Sequence, residues 1–156
     1  MLKKQKLKKV CSRQLDVLPH ISIQKFRQPD SESFVFYLTA ERPEDKSIED
    51  VFCLLLEREE YAEASREWNR AAIEKTRDAV LTNILEPVIE HGIFSKIDGA
   101  SALQRIHTYE NNGIQIDESL FMDESRHVVI YDDWNLFMVF GYEGTTAYLY
   151  TWFTTA

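Results

Sequence analysis

Cysteine is nearly missing from this 156-residue chain, with only Cys11 and Cys53 present. Small secreted scaffolds held by disulfides carry a denser set, so that class is excluded. Cys53 lies in the run Val51-Phe52-Cys53-Leu54-Leu55-Leu56, which predicts a buried, inert thiol. Free thiols and a reducing compartment are therefore expected. Glycine and proline are also scarce, at 5 and 4 residues, which leaves no room for extended linkers or low-complexity tracts. No internal repeat is present. Long apolar runs are lacking, so no segment has the length of a membrane span. The basic start, residues 1–10, resembles the head of a signal peptide, but Ser12, Arg13, Gln14 and Asp16 interrupt where the apolar stretch should follow. The expected location is the cytoplasm.

Catalytic motifs are lacking as well. The glycines are isolated, so neither G-x-x-x-x-G-K-[ST] nor G-x-G-x-x-G can be written. No G-x-S-x-G elbow occurs. His20, His91, His107 and His127 form no H-x-x-x-H pair, and there is no C-x-x-C, so a zinc site has no local spacing to stand on. No cofactor and no metal are expected. A Cys–His nucleophile would need Cys11, beside the basic head, or Cys53, in an apolar run, and neither context activates a thiol.

What the chain does have is an apolar fraction of 44% with 12% aromatics, enough to build a core and far too much for disorder. Its charge is unevenly spread. The net charge is −8, yet residues 1–13 hold six Lys and Arg and no acid, so residues 14–156 carry a balance of −14. An acidic body repels nucleic acid and steers basic proteins toward itself. The head reads most simply as a frayed, solubilising terminus ahead of one α+β domain over residues 14–156.

Residues 20–26 and 34–40 alternate as strands around the turn-forming segment 28–33, predicting an N-terminal β-hairpin. Ser47 with Asp50 matches an N-cap followed by a first-turn acid. From there to His91-Gly92 the pattern is helical, with Ile48, Val51, Phe52 and Leu55 and then Tyr61, Ala64, Trp68, Ala71, Ala72, Ala79, Val80 and Ile84 on a stripe. Breaks are expected near residues 58–61 and at Pro87. A further helix is expected over residues 99–110, with Leu103, Ile106 and Tyr109 inward and Asn112-Gly113 as its stop. Residues 126–131, 134–142 and 145–154 read as an antiparallel three-stranded meander, separated by Asp132-Asp133 and Glu143-Gly144. Its middle strand is apolar on both faces, with Trp134, Leu136, Met138 and Phe140 on one, so it belongs at the sheet centre with helices covering at least one face. The expected architecture is a hairpin, a helical middle of two to three helices and a meander, forming one sheet packed on helices.

Three functional readings fit these features. The first is an acidic protein-binding module that neutralises a basic partner, as an immunity protein blocks a nuclease toxin. Its candidate contacts are Glu57, Glu60, Glu63 and Glu67, which share a helical face, together with Asp132, Asp133, Trp134 and Glu143. A solvated helix face and a polar turn are the plain alternatives for these acids. The second is an enzyme whose site assembles from His107, His127, Asp132 and Asp133 for acid–base or metal chemistry. The third is an accessory subunit docking through a sheet edge or the basic head. The ladder Tyr148, Tyr150, Trp152 has no basic residue after Arg126 beside it, which argues against a stacking platform for single-stranded nucleic acid.

Overall fold

The computed structural model describes residues 1–10, 20–29, 32–123 and 126–155. In chain order it contains α1 (Lys4–Val10), β1 (Ile21–Gln28), β2 (Ser33–Glu41), α2 (Ile48–Glu63), α3 (Arg70–Val80), α4 (Glu86–His91), β3 (Ser95–Ile97), α5 (Gly99–His107), β4 (His127–Asp133), β5 (Leu136–Glu143) and β6 (Thr146–Thr154). The strands form one antiparallel sheet of order β1-β2-β6-β5-β4-β3. The N-terminal hairpin thus joins the meander through β2 and β6, and the apolar β5 lies next to β6 at the centre, as its two-sided pattern requires. No helix among the described residues is long and apolar enough to cross a membrane.

Both faces of the sheet are covered. Alternation along β6 sends Ala147 and Leu149 to one face and Tyr148 and Tyr150 to the other. On the first face lies α2, which begins at a capping box in which Ser47 Oγ accepts from the Asp50 amide and Asp50 accepts from the Ser47 amide. Its consecutive residues Leu54, Leu55 and Leu56 are apolar all round, so they can be satisfied only by burial on every side. The sheet covers one flank, and α1 and the turn over Leu81–Leu85 cover others. The lysine-rich start is packed on this face: Leu2, Leu7 and Val10 enter the core, and Lys4 Nζ donates to the Gly92 carbonyl at 3.4 Å. Cys53 is buried there too, while Cys11 and Arg13 fall outside the described residues. The second face is closed by α5 and a short turn over Glu118–Phe121, with Leu103, Ile106 and Tyr109 directed inward as their spacing predicts.

Several boundaries differ from expectation, each for a local reason. Helix α2 runs on to Glu63 and ends where Ser65 adopts φ +53°, with the Arg66 amide closing on the Tyr61 carbonyl. Pro87 does not end the helix. In a regular α-helix its ring would strike the carbonyl of residue 83. The turn over Leu81–Leu85 instead widens to an i→i−5 pattern, in which the Glu86 amide donates to the Leu81 carbonyl, and α3 continues through it into α4. Helix α5 stops at His107, ahead of Asn112-Gly113, because the Asn111 side-chain Nδ2 donates to the Ile106 carbonyl and the Thr108 hydroxyl donates to the Arg105 carbonyl. Asp132 and Asp133 complete β4 rather than turn the chain. The connection is Trp134-Asn135, which leaves Trp134 77% exposed rather than on an inner face of β5.

Candidate functional site

The C-terminal turn of α2 overhangs the first face of the sheet, and a cleft of about 360 Å³ opens beneath it. Its walls are Leu56, Glu59, Glu60 and Glu63 of α2, Asn83 and Ile84 of the widened turn, and Pro87 and Val88 of α4. Its floor comes from Tyr131, Leu136, Met138, Thr151 and Phe153 of the sheet. The widened turn is a positioning element here, since it carries Asn83 and Ile84 to the cleft. Such turns recur at functional sites.

Glu59 sits at the base of this cleft. It is 6% exposed, and its Oε1 has no hydrogen-bond partner. Burial is the main reason its carboxyl is pushed up to about 8, helped by the neighbouring acids Glu63 and Glu60 and opposed by the Thr151 hydroxyl. Glu60 and Glu63 line the same space and are also raised, chiefly by burial. Three carboxyls therefore share a pocket whose other lining residues are apolar or neutral polar, with no cation directed into it among them. A buried acid with an unmet acceptor is costly to keep. The arrangement is complementary to a cation, whose charge would draw the proton from Glu59. The volume is at the small end of ligand sites and suits one long side chain.

The expected site residues divide. Glu57, Glu60, Glu63 and Glu67 do not form one solvated face. Glu57 is only 1% exposed, with its Oε2 at 3.7 Å from Arg77 of α3, and burial raises its carboxyl against the pull of that guanidinium. Glu67 lies beyond the end of α2, exposed in the segment before α3. Glu60 and Glu63 belong to the cleft. Asp133 and Trp134 stand beside it, because the next two residues, Asn135 and Leu136, line it. Asp132 points to the opposite face, where Arg105 donates to both its oxygens at 2.7 and 3.1 Å and holds its carboxyl below the usual range. Glu143 ends β5, seven residues from Leu136 and so about 23 Å away along an extended strand.

The expected His–Asp constellation does not assemble. His127 is fully buried in the second face, stacked on Phe121, and shares a 2.8 Å hydrogen bond between Nδ1 and the Tyr148 hydroxyl. Desolvation lowers its pKa below the ordinary histidine value. Asp133 is at the other end of β4, about 20 Å along the strand. His107 is exposed beside Glu118. Among the described residues no three His, Cys, Asp or Glu side chains gather as a metal-holding group.

Sequence reasoning missed Glu59, which is absent from the candidate contacts. The available signal was its spacing from Phe52 and Leu56, at i+7 and i+3, which puts it on the sheet-facing side of α2. No protein-family model, curated protein or solved structure matches this chain.

Proposed function

We propose that the protein is a binding module that captures a basic protein, taking a lysine or arginine side chain of that partner into the Glu59 cleft. The observation that carries this reading is the orphaned Oε1 of a buried Glu59 in a cleft shared with Glu60 and Glu63. A lysine or arginine stem would lie along Leu56, Ile84, Met138 and Phe153 while its head reached the carboxylates. Asp133, Glu60 and Glu63 would steer the approach, and Trp134 on the adjoining turn supplies the large exposed ring that interface hot spots favour. An inhibitor of the immunity type, neutralising a toxin with a cationic active-site cleft, is the partner relationship that best suits this chemistry. The action is capture and occlusion, in a cytoplasmic setting.

The test is recovery of the partner from the native cell extract at low and at high salt, with wild type and with Glu60→Lys/Glu63→Lys/Trp134→Ala run side by side. A basic protein retained by wild type, released by salt and lost by the variant is the expected result. Equal retention by both proteins would remove the cleft from the interface. Retention of no basic protein would overturn the reading.

A further inference from the structure

Beside the acidic cleft lies a second hollow of about 620 Å³, whose lining includes Lys25, Arg27, Phe34, Phe36, Glu63 and Phe153. Glu63 and Phe153 line both, so the two form one groove beneath the end of α2. Strand register shows how its floor is built. One row across the sheet reads Tyr131, Met138, Thr151, Phe36, Lys25, and the next reads Asp133, Leu136, Phe153, Phe34, Arg27. Both rows thus end in a cation at β1, Asp133 and the Glu59–Glu60 pair lie toward the opposite end, and Glu63 stands where the two hollows meet. Between these ends stand three phenyl rings, with Phe153 stacked on Phe34 at 5.0 Å and on Phe36 at 6.1 Å. The Arg27 guanidinium lies 5.4 Å from the Phe34 ring centre, which pre-positions it at the rim. No carboxylate within ion-pair distance is found for Lys25 or Arg27 among the described residues.

We infer that this groove binds one extended segment of the partner, a basic residue lying in the Glu59 cleft and an acidic residue three positions away lying on Lys25 and Arg27, across the phenyl floor. The inference deepens the proposed capture of a basic protein and rests on it. The length is set by the sheet. Thr151, beside Glu59, and Lys25 are two strand spacings apart, about 10 Å. A segment in the polyproline II conformation rises ~3.1 Å per residue with three residues per turn, so positions i and i+3 fall on one side about 9 Å apart. That conformation also matches the floor, because aromatic-lined grooves are the usual seats of proline-rich segments. The polarity selects the order of charges, since a segment with two basic ends would set one of them against Arg27.

The test uses two fluorescein-labelled, amidated peptides, Gly-Gly-Lys-Pro-Pro-Glu-Gly and Gly-Gly-Lys-Pro-Pro-Gln-Gly, titrated with the full chain by anisotropy at low salt. The expected result is at least a five-fold tighter Kd for the glutamate peptide. In Lys25→Glu/Arg27→Glu that preference should vanish, and a third peptide, Gly-Gly-Lys-Pro-Pro-Lys-Gly, should become the tightest binder. A gain of this kind cannot come from misfolding. Equal binding of the Glu and Gln peptides would overturn the bipolar groove while leaving lysine capture standing, provided both are weakened by Glu59→Gln. Failure of every lysine peptide to bind would overturn both readings.

Discussion

Replacing Glu59 by Gln keeps the shape of the side chain and removes its ionisation, which makes the pH dependence of stability a direct reading of the cleft. The carboxyl rises from an ordinary 4.5 to about 8 on folding. Between those values the folded protein keeps a proton that the unfolded chain gives up. The stabilisation is therefore complete below about pH 4.5 and is lost as pH rises through 8. Each pH unit in that window is worth about 1.4 kcal/mol, a ceiling of roughly 5 kcal/mol over the whole of it. That is a large share of the 5–15 kcal/mol of a typical domain. The assay is urea unfolding of wild type and Glu59→Gln at each pH from 5 to 9. Glu57 is shifted in the same direction and His127 downward, but both are present in both proteins and cancel in the difference, while Glu60 and Glu63 contribute to it only where Glu59 itself carries charge. The variant should gain on wild type steadily between pH 5 and 8 and be the more stable protein at pH 9. Two profiles that run parallel across the range would refute a buried, proton-holding Glu59 and with it the physical basis of the site.

Tyr148→Phe leaves the Nδ1 of His127 unpartnered inside the second face and should cost about 1–3 kcal/mol in the same urea assay. Gly141→Ala drives a Cβ into that Nδ1 and places it 2.7 Å from the Tyr148 ring, so it should cost about 1–3 kcal/mol and lower Tm. Ser47→Ala opens the capping box of α2 and should remove about 1 kcal/mol, read by thermal unfolding. Trp134→Ala should change stability by less than about 0.5 kcal/mol, because the ring is 77% exposed, while weakening retention of the basic partner.

How much of the molecule was legible in the chain depends on how local each cause is. The meander could be read because period-two patterning and two-residue connections are adjacent in sequence, and the Ser47 cap because its partner is three residues away. Pro87 was misread because the compensation, a widened turn, depends on packing against α2 and on no residue type. Trp134 was assigned to an apolar face by counting twos from Leu136, but the count fails at a turn. His127 passed as a candidate base because its partners, Tyr148 and Phe121, are brought to it only by the sheet and the covering turn.

By itself the sequence determined the class of the protein: an α+β chain with a central two-faced strand, an acidic body and no motif of local catalytic spacing. Those properties follow from composition and from periodicities of two and of about 3.6, which any stretch of chain carries within itself. Only the tertiary structure decided where the charges sit. Burying α2 on every side turned Glu57 into a partner of Arg77 and left Glu59 as an orphan in a cleft. Pairing β1 with β2 and β2 with β6 set Lys25 and Arg27 at the far end of the same groove. Lys25 and Thr151 are 126 residues apart in sequence and two strands apart in space. No periodicity reaches across such a separation.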